Sequence, residues 1–471
     1  MADEELENEM MGADGVPENP VYTDDDVVRP EFLFQLRQLI QDGNADSLAD
    51  LIEHLHESEL GDVLEALEPD ERSILVSFTG DRFDFAALTE VDEAVRLQIV
   101  NDLPNELVAK AVGELDSDDA VFILEDMEEE DQADILAKIP TEDRLLLRRS
   151  LDYPEETAGR RMQTEFIAVP PFWTVGQTID FMREDDDLPD RFHEIFVVDA
   201  AYKLSGYVAL DRLLRTKRST RIDDIKEKNV YPIDANLDQE EAARIFEQYD
   251  LLSAAVVDSS DRLVGVLTID DVVDVIHQEA DEDIKRLAGV GDEELSDNVL
   301  AITRSRFTWL FLNLITAILA SVVIGLFDAT IQQMVALAVL MPIVASMGGN
   351  AGTQSMTVAV RALSTKDIDS YNMLRTIRRE FLVGVLNGVF FAILIGLIAA
   401  LWFGNTNLGI IIGAAMIINM ICAALSGILI PIGLDRLDID PAIASSVFVT
   451  TVTDVVGFLA FLGLAAWWFG L

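Results

Sequence analysis

The sequence predicts a multidomain chain of unlike parts: an α-helical superhelix, an α+β tandem repeat, a connecting helix and a five-helix α transmembrane domain. Three observations carry this reading. Charge is confined to the front, since residues 301–471 hold eight acids and eight bases, and the formal charge of −51 rests wholly on the first 300 residues. Apolar pentads recur every 12 residues between Val63 and Ile139, and a strand-turn-strand pattern beginning at Phe196 recurs 59 positions later.

Residues 1–30 read as an acidic disordered tail, and residues 31–150 as the superhelix. IVNDL, AVGEL, ILEDM and ILAKI mark its period. A 12-residue step on one continuous helix overshoots three turns by about 120°, so the apolar stripe would wander, and separate short helices are expected instead. Breaks fall at Pro104, at the cap Asp116-Ser117-Asp118-Asp119, at Glu128–Asp131 and at Pro140.

Residues 151–276 form the repeat, divided at about 221/222. Asp199, Leu204, Gly206 and Asp211 recur as Asp258, Leu263, Gly265 and Asp270, and each copy reads strand, turn, strand, helix. The tandem resembles a pair of cystathionine-β-synthase (CBS) motifs, a regulatory module that commonly binds adenine nucleotides. The second copy keeps that family's Gly-x-x-Thr-x-x-Asp pattern as Gly265, Thr268 and Asp271, and the resemblance implies ATP or another adenine nucleotide there. In the first copy the equivalents are Gly206, Ala209 and Arg212, so at most one ordinary site is expected.

A connecting helix over 277–305 leads to the membrane domain, 306–471. A spanning helix needs about 20 apolar residues, and five segments qualify: Trp309–Phe327, Gln333–Leu363 with a break, Phe381–Phe403, Leu408–Leu434 and Pro441–Phe469. All eight bases from residue 301 onward lie on one side of the spans, which places the N-terminus in the cytosol and the C-terminus outside. Asp454 stands near mid-membrane with no base in any span to neutralise it, so it calls for a cation, a proton or a helix-bridging hydrogen bond. Ser446, Thr450 and Asp454 share one helix face. Met347-Gly-Gly-Asn-Ala-Gly-Thr-Gln-Ser355 permits a broken helix lining a cavity or a small-residue packing interface. For Asn419, interhelical hydrogen bonding is one role and contact with the path another.

So negative a chain repels phosphate backbones, which excludes nucleic acid as a main partner. Only eight of its 34 bases are Lys, and an acid-rich, Lys-poor surface suits work in concentrated salt. One Cys cannot build a redox pair, the four His lie outside the spans, and HExxH and GxSxG are absent, so no enzyme is expected.

The acidic helices, the CBS pair, GGNAGTQS, and Asp440-Pro441-Ala442 followed by Thr450-Thr451-Val452-Thr453-Asp454 together resemble the MgtE family of magnesium channels over residues 31–471. Val447 departs from the pattern, because members often carry proline there. The resemblance implies a homodimer in the plasma membrane that imports Mg²⁺, with Asp454 of both subunits on one path. Asn350, Asn419, Ser446 and Thr450 would be outer partners of a largely hydrated ion, and Asp440 would sit at the cytosolic mouth. It also implies that cytosolic Mg²⁺ closes the path by bridging acidic faces, with Asp238, Glu240, Asp250, Asp274, Glu279, Glu282 and Asp283 matching the sensing carboxylates. Each of these acids, taken singly, is also explained as a salt-adapted surface residue. A proton-coupled divalent-cation antiporter would use the same Asp454, whereas a CBS-regulated nucleotide or ionic-strength sensor would not need it.

Overall fold

The computed structural model describes residues 21–23, 27–185, 188–189, 191–291, 299–366, 368, 371–437 and 439–470. Two compact units result, residues 1–279 and 280–471.

The first unit opens with helices α1 (Pro30–Asp42), α2 (Ala45–Ile52), α3 (Glu57–Glu65), α4 (Pro69–Thr79), α5 (Glu93–Asp102), α6 (Asn105–Val112), α7 (Ser117–Glu125), α8 (Glu129–Lys138) and α9 (Thr141–Leu151). The 12-residue period is thus a succession of short helices, with Pro104, Asp116, Glu128 and Pro140 standing at the N-caps of α6 to α9. Each repeat buries its pentad residues, among them Ile99, Ala111, Ile123 and Ile135, in one continuous core. The tail reading needs correction at its end. Val21 is buried in that core and Arg29 N–H donates to its carbonyl, so the described residues from 21 onward are packed; the remainder of the tail lies outside the described residues.

The CBS pair follows: α10 (Ala158–Arg161), β1 (Ala168–Val169), α11 (Val175–Glu184), β2 (Glu194–Val198), β3 (Leu204–Ala209), α12 (Leu210–Arg215) and α13 (Ile222–Ile225), then β4 (Ile233–Asp234), α14 (Gln239–Tyr249), β5 (Ser253–Val257), β6 (Leu263–Thr268) and α15 (Ile269–Ala288). Each copy is a three-stranded sheet, ordered β1-β2-β3 and β4-β5-β6. Glu194↔Ala209 in one copy corresponds to Ser253↔Thr268 in the other, and both carry a register shift at the same point, Val197/Val198 and Val256/Val257. The sequence repeat is therefore a structural repeat. The two sheets meet through a shared apolar cluster of Phe196, Val198, Ala255, Leu263 and Val266. Helix α15 begins at Ile269, inside the segment assigned to the second CBS copy, and runs without interruption into the connecting segment as far as Ala288.

The second unit holds five apolar helices long enough to cross a membrane: α16 (Val299–Gly325), α18 (Ala336–Ser364), α19 (Met373–Phe403), α20 (Thr406–Asp435) and α21 (Pro441–Phe469), with a short α17 (Asp328–Gln333) between the first two. They are the first to fifth spans. The fourth is the most buried and packs on the second, third and fifth, whereas the first contacts mainly the fifth and leaves Phe307, Leu310, Leu314 and Ile318 exposed.

The second span is one helix from Ala336 to Ser364, so the break expected in it is absent, and GGNAGTQS is a packing surface rather than an interruption. Its glycines are contact points. A Cβ at Gly352 would lie 2.5 Å from Val449 of the fifth span, and one on Gly427 of the fourth would lie 2.6 Å from the Gly352 carbonyl oxygen. Close backbone approach, with no side chain to hold helices apart, is what small residues supply within lipid.

Candidate ion path and cation-sensing surfaces

Opposite those glycines the second span shows a polar stripe of Ser346, Asn350, Thr353 and Thr357, all exposed. Asn350 Nδ2 donates to the Ser346 carbonyl at 2.8 Å, and Thr357 Oγ1 to the Thr353 carbonyl at 3.0 Å, so these side chains satisfy their donors on their own helix. On the neighbouring fifth span Ser446, Thr450 and Asp454 are partly exposed, and Thr450 Oγ1 donates to the Ser446 carbonyl at 2.9 Å. Thr453 is fully buried against Gly352 and fixes which face of that helix packs inward. Among the described residues the Asp454 carboxylate has neither a hydrogen-bond donor nor a basic partner, so the helix-bridging explanation of this acid has no support.

Two predicted path residues are placed differently. Asn419 is wholly buried, donating from Nδ2 to the Val344 carbonyl at 2.8 Å, and stands among the helices rather than on a polar stripe. Asp440 caps the fifth span, its Oδ1 accepting from Ala442 N–H at 2.7 Å, while Oδ2 accepts from Arg286 of α15 at 2.6 Å. Arg286 also pairs with Glu282, so Asp440 shares its cation, and a pair 154 residues apart in sequence could not be read from spacing.

Of the expected sensing carboxylates, Asp238 caps α14 by accepting from Glu240 and Glu241 N–H, Asp250 ends it in the left-handed region at φ 52°, and both are exposed. Glu279 accepts from Gln239 Nε2 at 2.7 Å and lies near Glu240 and Asp238, so these three share one surface. Glu282 pairs with Arg286 on the same helix, and Asp283 follows it. Among the described residues no three His, Cys, Asp or Glu side chains converge closely enough to hold a metal ion unaided. The donors fit a hydrated hard cation that keeps water between itself and single carboxylates, as Mg²⁺ does.

A second acidic surface escaped sequence reading, where Asp116–Asp119 registered only as a helix cap. Asp118 and Asp119 of α7 face Asp271 of α15, with Glu57 and Glu90 near Asp119 and Asp274 near Glu90. Burial, then the Asp271 charge, raises Asp118 well above the usual aspartate range; the same causes push Asp119 up to about 7. Asp271 rises to about 6 by burial and the charges of Asp270 and Asp274, against the lowering hydrogen bond from Thr268. A carboxyl raised in the folded state stabilises it through the bound proton, fully below the unfolded value and lost as pH rises through the folded one. Without Mg²⁺, the thermal midpoint of the full chain should fall between about pH 5 and about pH 8, and added Mg²⁺ should remove most of that fall by taking over the neutralisation. A midpoint that rises over this range would contradict the assignment.

The residues of the expected nucleotide site also touch other parts of the first unit. Thr268 Oγ1 donates to Asp271 at 2.5 Å, and a Cβ at Gly265 would meet Met162 at 2.5 Å. A cavity of about 430 Å³ lies instead at the first copy, lined by Tyr207, Ala209, Asp211, Arg212, Arg215, Thr216 and Glu227. Its lining mixes both charges, with Arg212 paired to Glu227 and Arg215 exposed beside it.

Five spans with an unpartnered intramembrane carboxylate, following a CBS pair and an acidic helical domain, define a multi-pass membrane protein of the CBS-bearing cation-transport class. Residues 341–464 match the model of a divalent cation transporter domain, 55–156 that of the MgtE intracellular N domain and 222–278 that of the CBS domain. The magnesium transporter MgtE of Thermus thermophilus is 30% identical, covering 91% of this chain and 97% of that protein. The one from Enterococcus faecalis is 35% identical over 68% and 71%, and the one from Bacillus subtilis 29% over 92% and 97%. The chain belongs to the MgtE family of magnesium transporters. Among solved structures, the soluble part of a magnesium transporter aligns with 53% of this chain and 98% of its own length, at 26% identity and TM-score 0.48. The cytosolic domain of the Mg²⁺ channel MgtE in complex with ATP aligns with 52% and 99%, at 27% identity and TM-score 0.48.

Proposed function

We propose that this chain is a homodimeric Mg²⁺ channel of the plasma membrane, importing Mg²⁺ along a path lined by Asn350, Thr353 and Thr357 of the second span and Ser446, Thr450 and Asp454 of the fifth. The carrying observation is Asp454, a carboxylate in the fifth span without a described donor or base, on one face with two hydroxyls. An isolated intramembrane charge is costly unless it meets water or a counter-ion, and two copies on a twofold axis match one divalent charge. The polar stripe of the second span and the apolar face of the first, both exposed in a single subunit, support a second copy completing the path. The eight bases on one side of the spans support a cytosolic N-terminus and an extracellular C-terminus.

Closure by cytosolic Mg²⁺ follows from the two acidic surfaces. Bare, they repel; with Mg²⁺ between them they hold the superhelix, the CBS pair and α15 compact, and the ion shifts the equilibrium by binding that form better. An adenine nucleotide is held at the cavity of the first CBS copy, its phosphates on Arg212 and Arg215. The chain catalyses no covalent step.

The test is Mg²⁺ uptake into liposomes holding the full-length protein at high KCl, with no proton gradient and varied Mg²⁺ on the cytosolic face. Flux that needs no proton gradient and falls as cytosolic Mg²⁺ rises is expected. Flux that appears only with a proton gradient would replace the channel by a proton-coupled antiporter.

A further inference from the structure

Two side chains that meet no proposed ion ligand hold the second span from behind. At one level Asn419 of the fourth span, wholly buried, donates to the Val344 carbonyl at 2.8 Å. Room for it exists only because residues 348 and 457 are glycines; a Cβ at either would come within 2.2 Å and 2.9 Å of its Nδ2. At a second level Ser355 of the second span, 8% exposed, donates from Oγ to Glu380 Oε2 of the third span at 3.0 Å. The Glu380 side chain is only 12% exposed, and its other oxygen faces Arg379 at 3.6 Å.

Val344 and Ser355 are 11 positions apart, about three turns and about 16 Å along the axis, so the two contacts fall on one face. Ser346, Asn350, Thr353 and Thr357 fall on the opposite face by the same geometry. Between the contacts, Gly352 and Gly427 bring the second and fourth spans into close backbone contact.

We infer that Asn419 and Glu380 are positioning residues for ion passage: two polar pins that fix the rotation of the second span about its axis and so aim its polar stripe into the path. This rests on the proposed path. Hydrogen bonds add a directional preference to the close packing, because lipid is as apolar as the helix faces and does not itself choose an angle. Glu380 acts as an acceptor for Ser355, so the carboxylate charge is not what the role requires.

The experiment places a reporter thiol at Thr357 (T357C) in full-length protein whose native thiol is removed (C422A), reconstituted in liposomes. Labelling by a charged, water-soluble maleimide is read beside Mg²⁺ uptake. With both pins intact T357C labels readily. N419L, E380L and the minimal S355A each slow labelling and uptake about tenfold, a shift of ~1.4 kcal/mol, and E380Q restores both because its amide oxygen still accepts from Ser355. Unchanged labelling in S355A and N419L, or E380Q as slow as E380L, overturns the pins and leaves the path standing. A reporter that fails to label with both pins intact removes the path itself, and this inference with it.

Discussion

Asp454→Asn abolishes Mg²⁺ flux while leaving the folded protein intact. Asparagine keeps the size of the side chain and a carbonyl oxygen, and no described hydrogen bond or ion pair is lost, since Asp454 has none. What disappears is one negative charge per chain within the span. A charge acting on a divalent ion at low dielectric is worth several kcal/mol, and ~3 kcal/mol already corresponds to about a hundredfold in affinity or rate. Thr450→Ala, which removes a hydroxyl already bonded to Ser446, should cost less than about tenfold. The measurement is liposome uptake paired with thermal unfolding in detergent. Wild-type uptake by Asp454→Asn at an unchanged unfolding midpoint would mean the ion passes elsewhere.

The ease of reading this chain varied with how local the determining physics is. The superhelix was legible because each helix carries its own apolar pentad and its own cap, so Pro104, Asp116, Glu128 and Pro140 mark starts without reference to anything distant. The five spans were legible for the same reason, a run of apolar residues long enough to cross lipid. Glycine was harder. In GGNAGTQS it signals either a break or a contact, and only the partners Val449 and Gly427 settle it as a contact within one continuous helix. The CBS signature Gly265, Thr268, Asp271 was present in sequence but does not reveal its neighbours; Met162 beside Gly265 and Asp118 beside Asp271 come from other segments. Asp454 could be singled out because an acid in an apolar run is conspicuous in one dimension. Glu380, at the edge of its span beside three arginines, looks like a boundary residue until Ser355 is found against it.

Arg286→Gln should make the channel harder to close. The last turn of α15 reaches the N-terminal end of the fifth span by two contacts: Leu287 packs on the cluster of Met356, Val360, Ala442 and Val449, and Arg286 pairs with Asp440. A guanidinium on a carboxylate is a tethered cation at the mouth of the proposed path, and it holds that carboxylate away from the entering or leaving Mg²⁺. Both side chains are 28% exposed, so the pair is worth ~1 kcal/mol or less, and the cytosolic Mg²⁺ that halves flux should rise up to about fivefold in the variant. Asp440→Asn separates the two duties of that residue. Its side-chain oxygen still caps the fifth span through Ala442 N–H, but the charge that attracts Arg286 is gone, so it should match Arg286→Gln and the double variant should add little. Salt gives an independent check, because a partly exposed ion pair is screened as ionic strength rises. The difference between wild type and Arg286→Gln should therefore be larger at low KCl than at molar KCl. An identical closing concentration in wild type and both single variants at low salt would mean that Leu287 and its apolar seat, not the ion pair, hold the helix at the mouth.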